Sequence, residues 1–271
     1  MGRSHVLVIS SCLAIGAATA RADEPAEAPA PAPATAPAPT EQLTLPKGKI
    51  VIDAFLEINL SSNAVGKPVS LAPDIWYGVT DDLTVGLVHS YVGETGFLGV
   101  TGDGLCFTGS SSGCPNFYQD VGADVRYRLA APWAVDAGLY IDDTSPFVLA
   151  LKAGVSGRWR FGKAAVEVQP NLVIGLTNRD KGALNELLSI PVTGMYDVTD
   201  KIDVAAQTGI QLPFENTGDL FHVPLSLAAR YHISPQLSAG LVFTLNDLLG
   251  GNKVDTGVDA RTIVLGGSYA I

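Results

Sequence analysis

From Lys49 to Ile271 the chain alternates between apolar residues and small, polar or charged ones, one position at a time. Period two is the side-chain period of an extended strand, whose successive residues point to opposite faces. The pattern divides into stretches at 49–60, 67–79, 83–92, 117–129, 133–142, 147–161, 164–176, 186–198, 202–213, 221–233, 237–247 and 260–271. In one, Phe117, Val121, Ala123, Val125, Tyr127 and Leu129 alternate with Tyr118, Asp120, Gly122, Asp124, Arg126 and Arg128, and Gln119 is the misfit. The sequence therefore predicts an all-β fold, an antiparallel up-and-down β-barrel of about twelve strands.

The connections alternate as well. Thr80-Asp81-Asp82, Ala130-Ala131-Pro132, Gly162-Lys163, Thr199-Asp200-Lys201 and Ser234-Pro235-Gln236 are tight turns. Between them lie longer links, the longest running from Gly93 to Asn116. Short turns at one end and longer loops at the other is the arrangement of a transmembrane barrel, and an even strand count puts both chain ends with the short turns.

A soluble barrel would alternate too, so the question is which face points outward. The chain is 47% hydrophobic and 16% charged. No apolar run past the N-terminus reaches the roughly 18 residues a membrane helix needs, so the apolar residues are spread over many strands. The polar parity is rich in Gly, Ala and Ser, which suits a crowded interior better than a solvated surface. On the apolar parity, aromatics sit at the strand ends. Tyr77, Tyr127, Trp133, Trp159, Phe161, Tyr196, Tyr231 and Tyr269 fall beside the short turns; Tyr91, Phe117, Phe147, Phe214 and Phe221 fall at the loop ends. Two aromatic girdles around an aliphatic band match the two interfaces of a bilayer, so the apolar face is expected outside. Pro73, Pro170, Pro191 and Pro224 lie within the strands and predict bulges or strand ends there.

Ahead of the barrel, Met1-Gly2-Arg3-Ser4-His5 followed by the apolar stretch Val6 to Ala18 and Ala20-Arg21-Ala22 reads as a signal peptide at 1–22. Residues 23–48 form a Pro/Ala-rich linker on the periplasmic side, favouring extended polyproline II and unable to bury a core. Cleavage after Ala22 discards Cys12. Cys106 and Cys114 remain, and in an exported chain such a close pair points to a loop disulfide rather than free thiols. A net charge of −10 argues against nucleic acid as a partner.

The last strand runs to the chain terminus with Ile263, Leu265, Tyr269 and Ile271 on one parity. Here the chain resembles bacterial outer-membrane β-barrel proteins, although Ile271 stands where their terminal aromatic usually is. The resemblance covers 49–271, is architectural, and implies a lipid bilayer and the outer-membrane assembly machinery as partners.

On the inward face, closing 161 on 164 sets Arg158 opposite Glu167, closing 129 on 133 sets Arg126 opposite Asp136, and Arg230 falls near Asp203. With Arg128, Arg160, His232, Asp53, Asp74, Asp124 and Asp197 these make a mixed-charge belt in the turn-end half of the lumen. The loop-end half carries Glu57, Asp120, Asp142, Asp143, Asp219 and Asp247, a field that favours cations. No cofactor motif, metal spacing or nucleophile–base pair facing a substrate is present: Asp247, Asn252, Asp255 and Asp259 lack the spacing of a calcium loop, and His232-Ile233-Ser234 aims His232 into the lumen. The composition supports a small passive or weakly selective pore. A plugged structural or surface-interaction barrel working through its loops is the main alternative, and a lipid hydrolase the lesser one.

Overall fold

A computed structural model describes residues 43–61, 67–99, 103–114, 116–179, 185–254 and 256–271. The expected signal peptide and residues 23–42 of the linker lie outside the described residues. The strands are β1 (Ile50–Asn59), β2 (Val69–Thr80), β3 (Leu83–Val88), β4 (Gly104–Cys106), β5 (Tyr118–Gln119), β6 (Val121–Ala130), β7 (Trp133–Thr144), β8 (Phe147–Phe161), β9 (Ala164–Val168), β10 (Asn171–Gly175), β11 (Glu186–Thr199), β12 (Ile202–Pro213), β13 (His222–His232), β14 (Leu237–Gly250) and β15 (Arg261–Ala270). Two short helices join them, α1 (Tyr91–Thr95) and α2 (Thr217–Leu220).

Antiparallel neighbours pair all the way round, and β1 pairs with both β15 and β2, which closes a barrel of 12 strand positions. Parity sorts the residues as the alternation requires. On β1, Asp53, Phe55 and Glu57 are buried inside while Ile52 faces out; on β2, Ser70, Ala72, Asp74 and Trp76 are inside while Ile75 and Tyr77 face out. A closed sheet leaves no unpaired edge, which is what allows strands to cross hydrocarbon.

The third wall position is where sequence and structure part. A strand was expected over 83–92, but β3 ends at Val88, its last pair being with Gly122 of β6. The wall resumes at β4, which pairs with β2 at Ser70 and Leu71 and with β5 at Tyr118 and Gln119. So β3 and β4 together fill one strand position, and residues 89–99 between them make an excursion into the lumen. On the neighbouring position, β5 passes into β6 through Asp120, whose φ of 56° makes the bulge that absorbs the offset. His89 and Ser90 turn the chain inward: both amides donate to Asp74 Oδ1, at 2.7 and 3.1 Å, and Ser90 Oγ donates to Asp74 Oδ2.

The prolines sit where a partner is already missing. By the pairing of Ile75 with Leu87, Pro73 lies level with the point at which β3 leaves the wall. Pro170 separates β9 from β10, and Pro191 stands opposite that gap, its carbonyl accepting from Gln169 N at 3.1 Å. Pro224 coincides with a register shift between β13 and β14. The expected bulges or breaks thus occur at Pro170 and Pro224, whereas Pro73 and Pro191 stay inside continuous strands because their missing N–H groups fall level with interruptions next door.

The last residues of the expected linker are not a free spacer. Leu43 and Leu45 are 2% and 4% exposed, and Leu45 packs against Trp76 just inside the turn end. Because the excursion contributes nothing to the wall ladder, splicing Val88 directly to Asp103 is expected to leave a folded barrel. Retained heat-modifiable migration on cold gels would show this; loss of the folded band would mean the excursion is needed to close the wall.

Candidate functional site: the obstructed lumen

The lumen-facing charges fall into two tiers. In the turn-end half the register sets Arg126 opposite Asp136, Arg158 opposite Glu167 and Arg230 opposite Asp203, each an ion pair. Arg158 Nε donates to Glu167 at 2.6 Å, and Arg160 pairs with Asp197 at 2.6 Å. Asp203 accepts from Arg230 at 3.0 Å and meets His232 Nε2 at 2.7 Å. Ser156 adds a hydrogen bond to Asp136, and Gln169 one to Glu167. Side chains from seven strands, β6 to β9 and β11 to β13, therefore cross-link this end, each arginine balanced by a carboxylate.

The middle of the lumen holds the excursion, tied to strands on opposite sides of the barrel. Gln207 on β12 accepts from Leu98 N at 2.7 Å and donates to Gly96 O at 2.9 Å, clamping the backbone from both sides. Asn171 on β10 donates to Thr95 O at 2.7 Å, and Ser226 on β13 donates to Leu98 O at 2.9 Å. Near its start, Gly93 O accepts from Tyr140 at 2.9 Å and from Lys152, which also pairs with Asp124. Two glycines make this possible. A Cβ on Gly93 would lie 2.1 Å from Val88, and one on Gly99, at φ +108°, would lie 2.0 Å from Thr244. Apolar packing completes the seat, with Val92 and Leu98 against Phe55, Ala72 and Val264.

Five carboxylates surround this segment: Glu57, Glu94, Asp103, Asp120 and Asp142 act on one another's charge, and Asp103 N donates to Glu57 at 3.4 Å. Glu94, on α1, is held well above the usual carboxylate range by burial first and then by the nearby carboxyls of Asp142 and Asp103, with Lys152 acting the other way.

The girdle positions are laid out around the wall. Tyr77, Tyr127, Trp133, Phe161, Tyr196, Tyr231 and Tyr269 are exposed on the outside near the turns. Trp159 packs edge-on to Trp133, centroids 5.1 Å apart, with Gly157 leaving room beneath both. At the loop end Phe117 is 73% exposed and Phe147 and Phe214 are exposed too, with Phe221 partly so. Tyr91 is the exception: it does not end a strand but begins α1, because β3 has already left the wall. Cys106 and Cys114 form a disulfide, Cα atoms 6.3 Å apart, which closes the loop between β4 and β5.

His89 is buried at the inward turn, its ring edge-on to Tyr118. Ser234 caps its own turn by accepting from Gln236 N and Leu237 N, so it is not paired with His232. Asp247 meets His222 at 2.5 Å and Asn252 donates to Asp219 at 3.2 Å, while Asp255 lies outside the described residues.

Gln207, Asn171, Tyr140, Lys152 and Glu94 escaped the sequence reading. The available signals were Val92, Phe97 and Leu98, apolar residues in a link expected to be solvated, and glycines at 93, 96 and 99.

No protein-family model and no curated protein sequence matches the chain. Among solved structures, an outer membrane channel from Pseudomonas putida F1 is 14% identical, with a TM-score of 0.56 over 85% of this chain and 98% of that one. The NanC porin is 12% identical, with a TM-score of 0.51 over 81% of this chain and 98% of the porin. At such identities the likeness is one of fold. The chain has the fold of bacterial outer-membrane β-barrel proteins, and its aliphatic belt between aromatic ends fits a lipid bilayer.

Because Glu94 binds its proton more tightly when the segment is docked, docking is strongest below the ordinary glutamate value and weakens as pH rises through it. At about pH 8 the amides of Gly93 to Leu98 should exchange hydrogen about tenfold faster in wild type than in Glu94→Gln, and the two should match near pH 4. Equal rates at both pH values would show that the carboxyl does not govern docking.

Proposed function

We propose that the chain is a narrow outer-membrane pore for small solutes, with cations favoured over anions. In this reading its tight turns and Pro/Ala-rich tether face the periplasm, and β15 is the strand the assembly machinery reads. The observation that carries it is the way the lumen is filled. The segment crossing it is fixed by hydrogen bonds to wall side chains, Gln207, Asn171 and Ser226 among them, rather than embedded in a continuous apolar core. A wall of balanced ion pairs with a hydrogen-bonded segment across it is the kind of constriction that sets conductance. The acidic excess of the chain, 27 Asp and Glu against 17 Lys and Arg, supplies the cation preference.

The barrel does no chemistry in this reading. His232 is engaged by Asp203, and Ser234 holds its own turn. A second reading is favoured by the same segment and by the disulfide-closed loop beside it: a sealed barrel whose loop between Cys106 and Cys114 is the working surface.

Planar-bilayer recording separates the two. Wild type should show a small conductance with a reversal potential toward that of the cation. Excision of residues 89–102 should raise the conductance several-fold, since the constriction is removed while the wall remains. A folded, heat-modifiable barrel with no current above background, before and after excision, would remove the pore reading and leave the sealed barrel.

A further inference from the structure

The turn-end mouth has a second obstruction that belongs to no strand. At Lys47 and Gly48 the chain folds back on itself, Gly48 adopting φ +79°, a left-handed conformation suited to glycine. Beyond this turn Leu43, Thr44 and Leu45 are buried inside the mouth. Their bonds are to turns and side chains. Thr44 Oγ1 donates to Asp81 O at 2.8 Å, Leu45 N to Thr84 Oγ1 at 2.7 Å, Lys47 N to Asp81 Oδ1 at 3.0 Å, and Arg126 to Leu43 O at 3.4 Å.

The seat is shaped for this backbone. Gly78 occupies an inward position of β2, where a Cβ would lie 2.1 Å from Pro46 O and 2.8 Å from Leu45 O. Leu45 belongs to one apolar cluster with Trp76, against which Val51 packs. An apolar Leu-Thr-Leu step buried in a mouth lined by polar side chains has the form of a plug.

We propose that Leu43–Lys47 is a stopper: seated, it narrows the mouth between β2, β3 and β6, and unseated, it opens the path to the lumen. Its Lys47-Gly48 turn is the hinge between the folded-back and extended courses. The conductance arm of this idea rests on the pore reading, so a second readout independent of current is needed.

The test uses the full chain carrying Leu43→Asp and Leu45→Asp, which keeps the strands intact while making the seat unfavourable. Single-channel conductance should rise at least about twofold. In a Cys106→Ser/Cys114→Ser background, Thr84→Cys should be labelled by a membrane-impermeant maleimide at least about tenfold faster in the double variant than with native leucines, since Leu45 covers it. A synthetic peptide of residues 40–49 added to the double variant should restore slow labelling, and the same peptide with both leucines changed to Asp should not. Should the double variant not fold, Gly78→Leu, which fills the seat from the wall, is expected to give the same two effects. Unchanged labelling in a folded double variant, or a peptide that does not protect Thr84→Cys, overturns the stopper. Faster labelling with no current in any variant would keep the stopper and remove the pore.

Discussion

Every backbone N–H and C=O within a bilayer must find a partner in the protein, since each one left unpaired in hydrocarbon costs several kcal/mol. That constraint explains the feature that most distinguishes this barrel. When β3 leaves the wall at Val88, the strands on either side of it would lose their partners. β4 takes over at Gly104, pairing with β2 and β5, and the ladder continues. The disulfide between Cys106 and Cys114 closes the loop that follows β4. Pro73, level with the departure point, and Pro191, opposite the break at Pro170, stand where a strand neighbour is already interrupted. A wall that tolerates interruptions only in register with one another is the consequence.

Inside, the problem is the reverse. An interior lined with Asp, Glu and Arg must neutralise its charges or lose its shape, and cross-strand pairing does this with the nearest residue on the next strand. The resulting lattice around Arg126, Arg158 and Arg230 is rigid, and against a rigid wall a segment can be suspended by a few bonds. Tyr140 shows the local engineering. Its ring lies over Gly122 and Gly138, where a Cβ would come within 2.2 and 2.5 Å of ring atoms, and its hydroxyl reaches Gly93 O.

Much of the wall was legible because period two is a local signal and each residue reports its own face. Strand positions, turn ends and the Arg158–Glu167 register follow from counting along the chain. The excursion was not legible, because His89 and Ser90 continue a plausible strand into Tyr91 and nothing local says that the chain turns inward. The information lies in Asp74, far away in sequence, whose carboxylate collects the His89 and Ser90 amides. Leu43 and Leu45 were lost for a related reason. Two leucines in a Pro/Ala-rich stretch read as linker until Gly78, on another element, shows the space kept for them. Long-range polar capture has no periodicity, so composition and spacing do not reveal it.

The central claim is that the third wall position is shared between β3 and β4 while residues 89–99 between them lie in the lumen. Cross-strand amide contacts in an NMR spectrum of the refolded barrel test it directly. The account predicts contacts between Leu71 and Leu105 and between Ser70 and Cys106, together with a contact from the Leu98 amide to the Gln207 side chain. An unbroken third strand would instead place Leu71 opposite Tyr91, and contacts between those two residues would contradict it.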